Sequence, residues 1–548
     1  MKKLLLISLG LIFCSLTMNS QSADPSFTSH ENSGNYPLWV SMMQDPDANF
    51  FATQEAFNNY WKDRTITKGC GWKVFKRWEY MMRDRISSDG VKPSPDATYL
   101  AFNDYIQNTR SASGAWTSLG PSLIPLPGPA GYEGLGRLNN IAFDPTDPDK
   151  WYVAAPSGGM WMTSDGGSTW ETHTDTLPTL GVSSIVVDYV NPDIIYIGTG
   201  DRDAGDAPGM GIFKSTDGGY SWVQSTLGMG NKTVGEILMH PTNNQILIAA
   251  TNSGVYRSTD AGANWTSSAT GNFKDLDFKP NDPNIVYGAS GSSFFRSTDN
   301  GINWAQITSG LTGAQRGVIT VTPANPNYVY FVQSNSSSGF KGLYRSTDAG
   351  LNFTTRSTSP NILDWSCDGS GSGGQGWYDL SLAADPLNAE IIYVGGVDTW
   401  KSTNGGTSWA INSHWYGGCN VPAVHADCHY LKYSPVDGKL YACNDGGVYN
   451  TSDGGNTWTD YTETMTIGQI YKLGQAQTVK EKVINGFQDN GTYTYMGTEW
   501  WATGGGDGME CAVDYSNAAY TYHTIYYGDI FRKYNNGGEK KIAGEGTY

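Results

Sequence analysis

From about residue 113 onward, apolar residues come in short runs that Gly, Asn, Asp and Pro keep interrupting, as in Ile194-Ile195-Tyr196-Ile197 and Ile391-Ile392-Tyr393-Val394. Runs of this length, rich in β-branched and aromatic residues and bounded by turn formers, predict strands rather than helices. The pattern repeats. An octet, Ser/Thr-x-Asp-x-Gly-x-x-Trp, closes each unit at Thr163–Trp170, Ser215–Trp222, Ser258–Trp265, Ser297–Trp304 and Thr451–Trp458. Two degenerate copies fill the gap, Ser346–Phe353 ending in Phe and Ser402–Trp409 carrying Asn404 for Asp. The third positions of the seven octets stand 39 to 56 residues apart, the length of one four-stranded sheet per repeat.

Within each unit the order predicts four strands, with the octet at the hairpin between the third and the fourth. A carboxylate and a hydroxyl accept from turn amides there, Gly supplies a positive φ, and Trp packs against the sheet. The octet is therefore a structural device, expected on the rim of the disc and away from its axis. The fold class that follows is all-β, a multi-bladed β-propeller of at least seven blades. Gly491–Trp501 and Ile530–Gly538 look like eighth and ninth degenerate copies, so the repeats either form a large ring or continue into a second one.

The first 112 residues read differently. Met1-Lys2-Lys3 and the apolar run Leu4–Phe13 predict a secretory signal over 1–22, cleaved around Ser20–Ala23. Lipidation at Cys14 is the alternative, but the bulky Phe13 before it fits poorly. Residues 23–112 form a helical segment, since Phe57, Tyr60 and Trp61, then Trp72, Phe75, Trp78 and Met82, recur at helical spacing over 55–64 and 72–86. Its basic run, Lys73, Lys76, Arg77, Arg83 and Arg85, is read as a solvated face packed on the propeller. Residues 113–460 then carry the octet blades and 461–548 further degenerate ones.

Composition agrees with this, with 68 Gly, 19 Trp and 33 Tyr among 548 residues but only 16% charged. A formal charge of −17 argues against a nucleic-acid partner, which needs a concentrated basic face. No later segment is apolar enough to span a membrane, so the predicted location is secreted or cell-surface. Export leaves Cys70, Cys367, Cys419, Cys428, Cys443 and Cys511 free to pair, with the connectivity open.

The octets resemble those of Asp-box (BNR) propellers over roughly residues 115–540. The blade style is similar to that of sortilin/Vps10-type propellers, xyloglucanase-type glycoside hydrolases and exported Asp-box proteins of Bacteroidetes. The resemblance implies the scaffold far more than any one activity. Xyloglucanase-type enzymes carry a catalytic Asp just before the Gly-Gly of the first blade, where this chain has Pro156-Ser157 before Gly158-Gly159. A sialidase would need an arginine triad.

Polar residues at the start of each first strand are the functional candidates, because they face the axial channel. Aligned on the strand ends they form the column Arg137, Gly181, Thr233, Asn272, Gln315, Tyr378, Asp427 and Asp507, in which Arg137 is the only arginine. Asp427 and Asp507 are the candidate acid–base pair, with Asp445 and Asp489 as substitutes in Asn-Asp-Gly-Gly and Gln-Asp-Asn-Gly turns. Gln375, Trp377 and Tyr378 could stack on and bind a sugar, beside Arg137 and His425. Alternation in His425-Ala426-Asp427-Cys428-His429 would place His425, Asp427 and His429 on one face as metal ligands. Otherwise no cofactor is implied. The reading preferred on these grounds is a recognition module binding a polysaccharide, peptide or protein on its channel face; the alternative is a glycoside hydrolase using the Asp pair.

Overall fold

A computed structural model describes residues 37–45, 47–66, 71–108, 117–125, 134–535 and 537–544. The predicted signal segment, Cys14 and Cys70 lie outside the described residues. Nine four-stranded antiparallel sheets follow one another along the chain, each built from four consecutive strands. Sheets 1 to 7 span residues 140–172, 182–224, 234–270, 273–307, 316–357, 381–413 and 430–460; sheets 8 and 9 span 470–504 and 511–543.

Burial explains why the apolar runs become second strands. Trp151–Ala155, Leu247–Thr251, Val329–Ser334 and Leu440–Asn444 are buried at every position, because both faces pack against neighbouring sheets. Fourth strands such as Glu171–Thr172, Val223–Gln224 and Thr266–Thr270 are largely exposed and form the outer rim. The first strands pack successively, from Asn140–Phe143 of sheet 1 round to Tyr430–Tyr433 of sheet 7, which returns to sheet 1. Sheets 1 to 7 therefore close a seven-bladed ring.

Closure is apolar and hydrogen-bonded. Leu138, Ile141 and Val153 share a core with Tyr441, Cys443, Met465 and Ile467. The Leu138 amide donates to the Asn444 carbonyl (2.9 Å), and Trp170 Nε1 donates to the Tyr461 carbonyl (2.7 Å). Close approach explains one glycine here: a Cβ on Gly136 (φ +142°) would stand 2.4 Å from the Ile467 carbonyl oxygen. Sheets 8 and 9 stand outside the ring. They share a small core of Ala476, Ile484, Cys511, Val513 and Ala518, and sheet 8 meets the start of sheet 1 through Phe487, Tyr493 and Leu135.

The octets sit between third and fourth strands, as expected. In all seven the Ser or Thr hydroxyl donates to the carboxylate or amide oxygen two residues on, at 2.7–2.9 Å. The same hydroxyl accepts from the glycine amide four residues on, at 2.8–3.0 Å. Asn404 replaces Asp without loss of this arrangement.

Among the described residues four helices precede the sheets: α1 (Leu38–Gln44), α2 (Phe50–Trp61), α3 (Trp72–Met82) and α4 (Ala97–Asn108). Trp39, Phe50, Phe57, Phe75 and Trp78 form a buried core of α1 to α3, which takes in Ala204, Trp377 and Tyr378 of the propeller. Among the cysteines, Cys367 and Cys419 form a disulfide, while Cys428, Cys443 and Cys511 are buried thiols. No helix among the described residues is long and apolar enough to cross a membrane.

Candidate functional site

At the helix-covered end of the ring, charged groups gather in a chain that otherwise has few. Arg137, three residues before the first strand of sheet 1, is 1% exposed and binds the Asp201 carboxylate through both terminal nitrogens (3.0 and 3.1 Å). Asp201, Arg202 and Asp203 follow the second strand of sheet 2. Asp203 accepts from Arg316 (2.8 Å) and faces His429 Nδ1 (3.1 Å). Burial alone would raise its pKa, but Arg316, Arg202 and His429 overcome that and hold it well below the usual carboxylate range.

His429 Nε2 faces Asp445 Oδ1 at 2.8 Å, and the Tyr378 hydroxyl donates to Asp445 Oδ2 at 2.8 Å. Burial opposes ionisation of Asp445, yet His429 and Arg137 keep its pKa below the ordinary value. Against burial and Arg137, Asp445 and Asp203 raise the pKa of His429. The result is a buried Arg–Asp–His–Asp–Tyr network in which every charge has an opposite neighbour, the condition for tolerating charge in a low dielectric.

A second group of carboxyls is less well compensated. Oxygens of Asp427, Asp445 and Asp489 lie within 4.8 Å of one another. Asp427 accepts from Gln375 Nε2 (2.9 Å), and burial with the nearby Asp379, Asp445 and Asp489 raises its pKa well above the carboxylate range. Its protonated form is thus favoured. Asp379 is fully buried, neither of its oxygens has a hydrogen-bond partner, and burial pushes its pKa up to about 7. Asp507 accepts from Arg77 (2.6 Å), from Lys73 and from the Asp489 amide (3.0 Å).

The column is brought together only in part. Arg137, Tyr378 and Asp427 converge, with the Arg137 guanidinium 4.8 Å from the Tyr378 ring centre. Asp507 lies in the connection between sheets 8 and 9, outside the ring, and reaches the group through Asp489. Trp377 and Tyr378 are 2% and 3% exposed, so neither offers an open sugar platform in this arrangement. Trp377 instead packs edge-on against Trp39 of α1, with 6.2 Å between ring centres.

The alternation behind the expected metal set His425, Asp427 and His429 is not the backbone found here. Asp427 has φ +66° and the strand begins only at Tyr430, so the alternation that would align His425, Asp427 and His429 is broken. Both ring nitrogens of His429 are taken by Asp203 and Asp445. His425 Nδ1 lies 3.3 Å from the carbonyl of its neighbour Ala426.

Asp201, Asp203, Arg316, Asp379 and Arg77 escaped the column reading. Gly200-Asp201-Arg202-Asp203 was visible as a charge cluster at the end of a buried strand, but it leaves a second strand rather than leading into a first. Toward the other end of the ring the axis holds a cavity of about 460 Å³, whose walls include Glu236, Lys274, Asp275, Asp277 and Lys432.

No protein-family model matches the chain. Among curated proteins, a xyloglucanase of Acetivibrio thermocellus is 26% identical over 346 residues, covering 50% of this chain and 38% of the relative. A xyloglucanase of a Paenibacillus species is 27% identical over 361 residues, covering 60% and 31% respectively. The chain thus spans about a third of the length of these relatives. Among solved structures, an ancestral GH74 enzyme superposes with a TM-score of 0.57 at 17% identity, covering 79% of this chain and 63% of its own. The GH74 xyloglucanase of Xanthomonas campestris superposes with a TM-score of 0.51 at 15% identity, covering 76% and 75%. These likenesses establish the β-propeller fold.

Proposed function

We propose that this chain is the propeller portion of an exported glycoside hydrolase acting on a β-glucan-type polysaccharide, with Asp427 as proton donor and Asp489 as its partner carboxylate. One observation carries the proposal: carboxyls from the ring and from sheet 8 meet at the channel mouth, one buried against Gln375 where burial favours its protonated form, the other partly open to solvent. Glycosidic cleavage needs one carboxyl that donates a proton and a second one flanking the same bond. The curated xyloglucanase relatives support a polysaccharide as substrate. The octet geometry supports placing the blades with the Asp-box propellers.

Asp507, the other candidate of the sequence column, is engaged by Lys73 and Arg77 and serves here as an anchor. The Asp427 and Asp489 oxygens lie within 4.8 Å of each other, at the short end of the roughly 5 to 9.5 Å over which such pairs work. The test is release of reducing ends from xyloglucan and other β-glucans. Asp427→Asn and Asp489→Asn should each lower it by about a hundredfold or more, with the fold intact by circular dichroism. Full activity in either variant, or in both, would remove the pair.

A further inference from the structure

The helices α1 to α3 lie across the mouth and touch both the ring and the two outer sheets. Gln44, the last residue of α1, donates through Nε2 to the carbonyls of Asp203 (2.7 Å) and Arg202 (3.3 Å) after the second strand of sheet 2. Its own carbonyl accepts from Asn252 of sheet 3 (3.4 Å), and its Oε1 accepts from Asn272 before sheet 4 (3.4 Å). Trp39 covers Trp377, ahead of sheet 6. From α3, Arg77 bonds Asp507 (2.6 Å) and reaches Asp489 (3.4 Å), while Lys73 bonds Asp507.

The two sides of this contact differ in kind. The interior of the helical segment is aromatic and mostly its own, with Phe57 stacked on Phe75 at 3.7 Å and Phe50 on Trp78 at 5.3 Å, and of the propeller's described residues only Ala204, Trp377 and Tyr378 join it. Toward the propeller it offers an apolar contact with Ala204, Trp377 and Tyr378, one glutamine and two cations. A unit whose core is mostly internal, docked by one small apolar contact and a few polar ones, can separate while keeping most of that core.

We infer that the helices α1 to α3 are a lid over the carboxylate site, held shut by Lys73 and Arg77, and that a glycan chain reaches Asp427 only when the lid opens. This rests on the hydrolase reading and supplies its regulation. The cations neutralise Asp489 and Asp507 while the site is closed. On opening, those carboxylates face solvent and the Trp377–Tyr378 surface becomes available to a sugar ring. A ligand that binds only the open form sees an affinity lowered by the fraction of molecules that are open.

The experiment compares the full chain with its Lys73→Ala/Arg77→Ala double variant, by hydrogen–deuterium exchange over 203–206 and 375–379 and by xyloglucan hydrolysis. The expected result is faster exchange in both segments and a rise in hydrolysis of about tenfold. Lys76→Ala, on the same helix but ion-paired to Glu79, should change neither. Unchanged exchange in the double variant would overturn the lid. So would faster exchange with hydrolysis present but no greater than in the parent. Faster exchange with no hydrolysis in either protein would instead leave the opening lid standing and sink the hydrolase reading.

Discussion

At the scale of single residues, this protein spends its few charges where they are most costly to bury. Arg137, Asp201, Asp203, His429 and Asp445 neutralise one another, whereas Asp379 is buried with no partner for either oxygen. Its folded-state pKa of about 7 stands above the ordinary carboxylate value, so the folded protein holds a proton that the unfolded chain has released. Stability from this group is present at low pH and is lost as pH rises from about 4 to about 7. Asp379→Asn, which does not titrate, should match the parent near pH 4. It should exceed it near pH 8 by about 1 kcal/mol or more, measured by urea unfolding across pH. Asp206, Asp275 and Glu236, raised to about 6, about 6 and about 7, titrate over the same range. The difference between the two proteins therefore isolates position 379; a constant offset across pH would refute the assignment.

At the scale of elements, the octet hairpins show how local chemistry fixes a repeat. The Ser258 hydroxyl is buried, donates to Asp260 (2.8 Å) and accepts from the Gly262 amide (2.9 Å). Ser258→Ala strands that amide, and thermal unfolding should report a loss of about 1–3 kcal/mol. Asp260 itself lies exposed on the rim, which separates the conspicuous motif from the chemistry at the axis. The amphipathic helices were legible from their aromatic spacing, with shifted ends: Phe50–Trp61 and Trp72–Met82 instead of 55–64 and 72–86. The basic run reads differently once placed. Lys76 stays within its helix, but Lys73 and Arg77 reach across more than 400 residues of sequence to Asp507. Nothing in a helical period says which turn of the helix will meet a distant carboxylate.

At the scale of the whole molecule, the decisive event is the return of sheet 7 to sheet 1. Trp170 sits at that seam, 7% exposed, with its indole nitrogen bonded to the Tyr461 carbonyl and its ring 6.2 Å from that of Trp151. Trp222, at the same octet position in sheet 2, is less buried, and its indole nitrogen has no hydrogen-bond partner. Trp170→Ala should therefore cost about 3–5 kcal/mol and Trp222→Ala measurably less, read by chemical denaturation of both variants. Equal losses would mean that the seam carries no special weight.

The sequence alone determined what depends on neighbours along the chain. Strand period, turn chemistry and octet spacing specify four-stranded sheets and a propeller, because each sheet is made from one contiguous segment. Aromatic periodicity likewise specifies the helices. Only the tertiary structure decided that the ring closes at seven sheets, since closure depends on side chains of residues 138–170 meeting those of 441–467. It also decided the site. Whether Asp427 is protonated, whether His429 faces carboxylates or an ion, and whether Trp377 is open to a ligand all depend on burial and opposite charge brought from remote segments, quantities that no local pattern encodes.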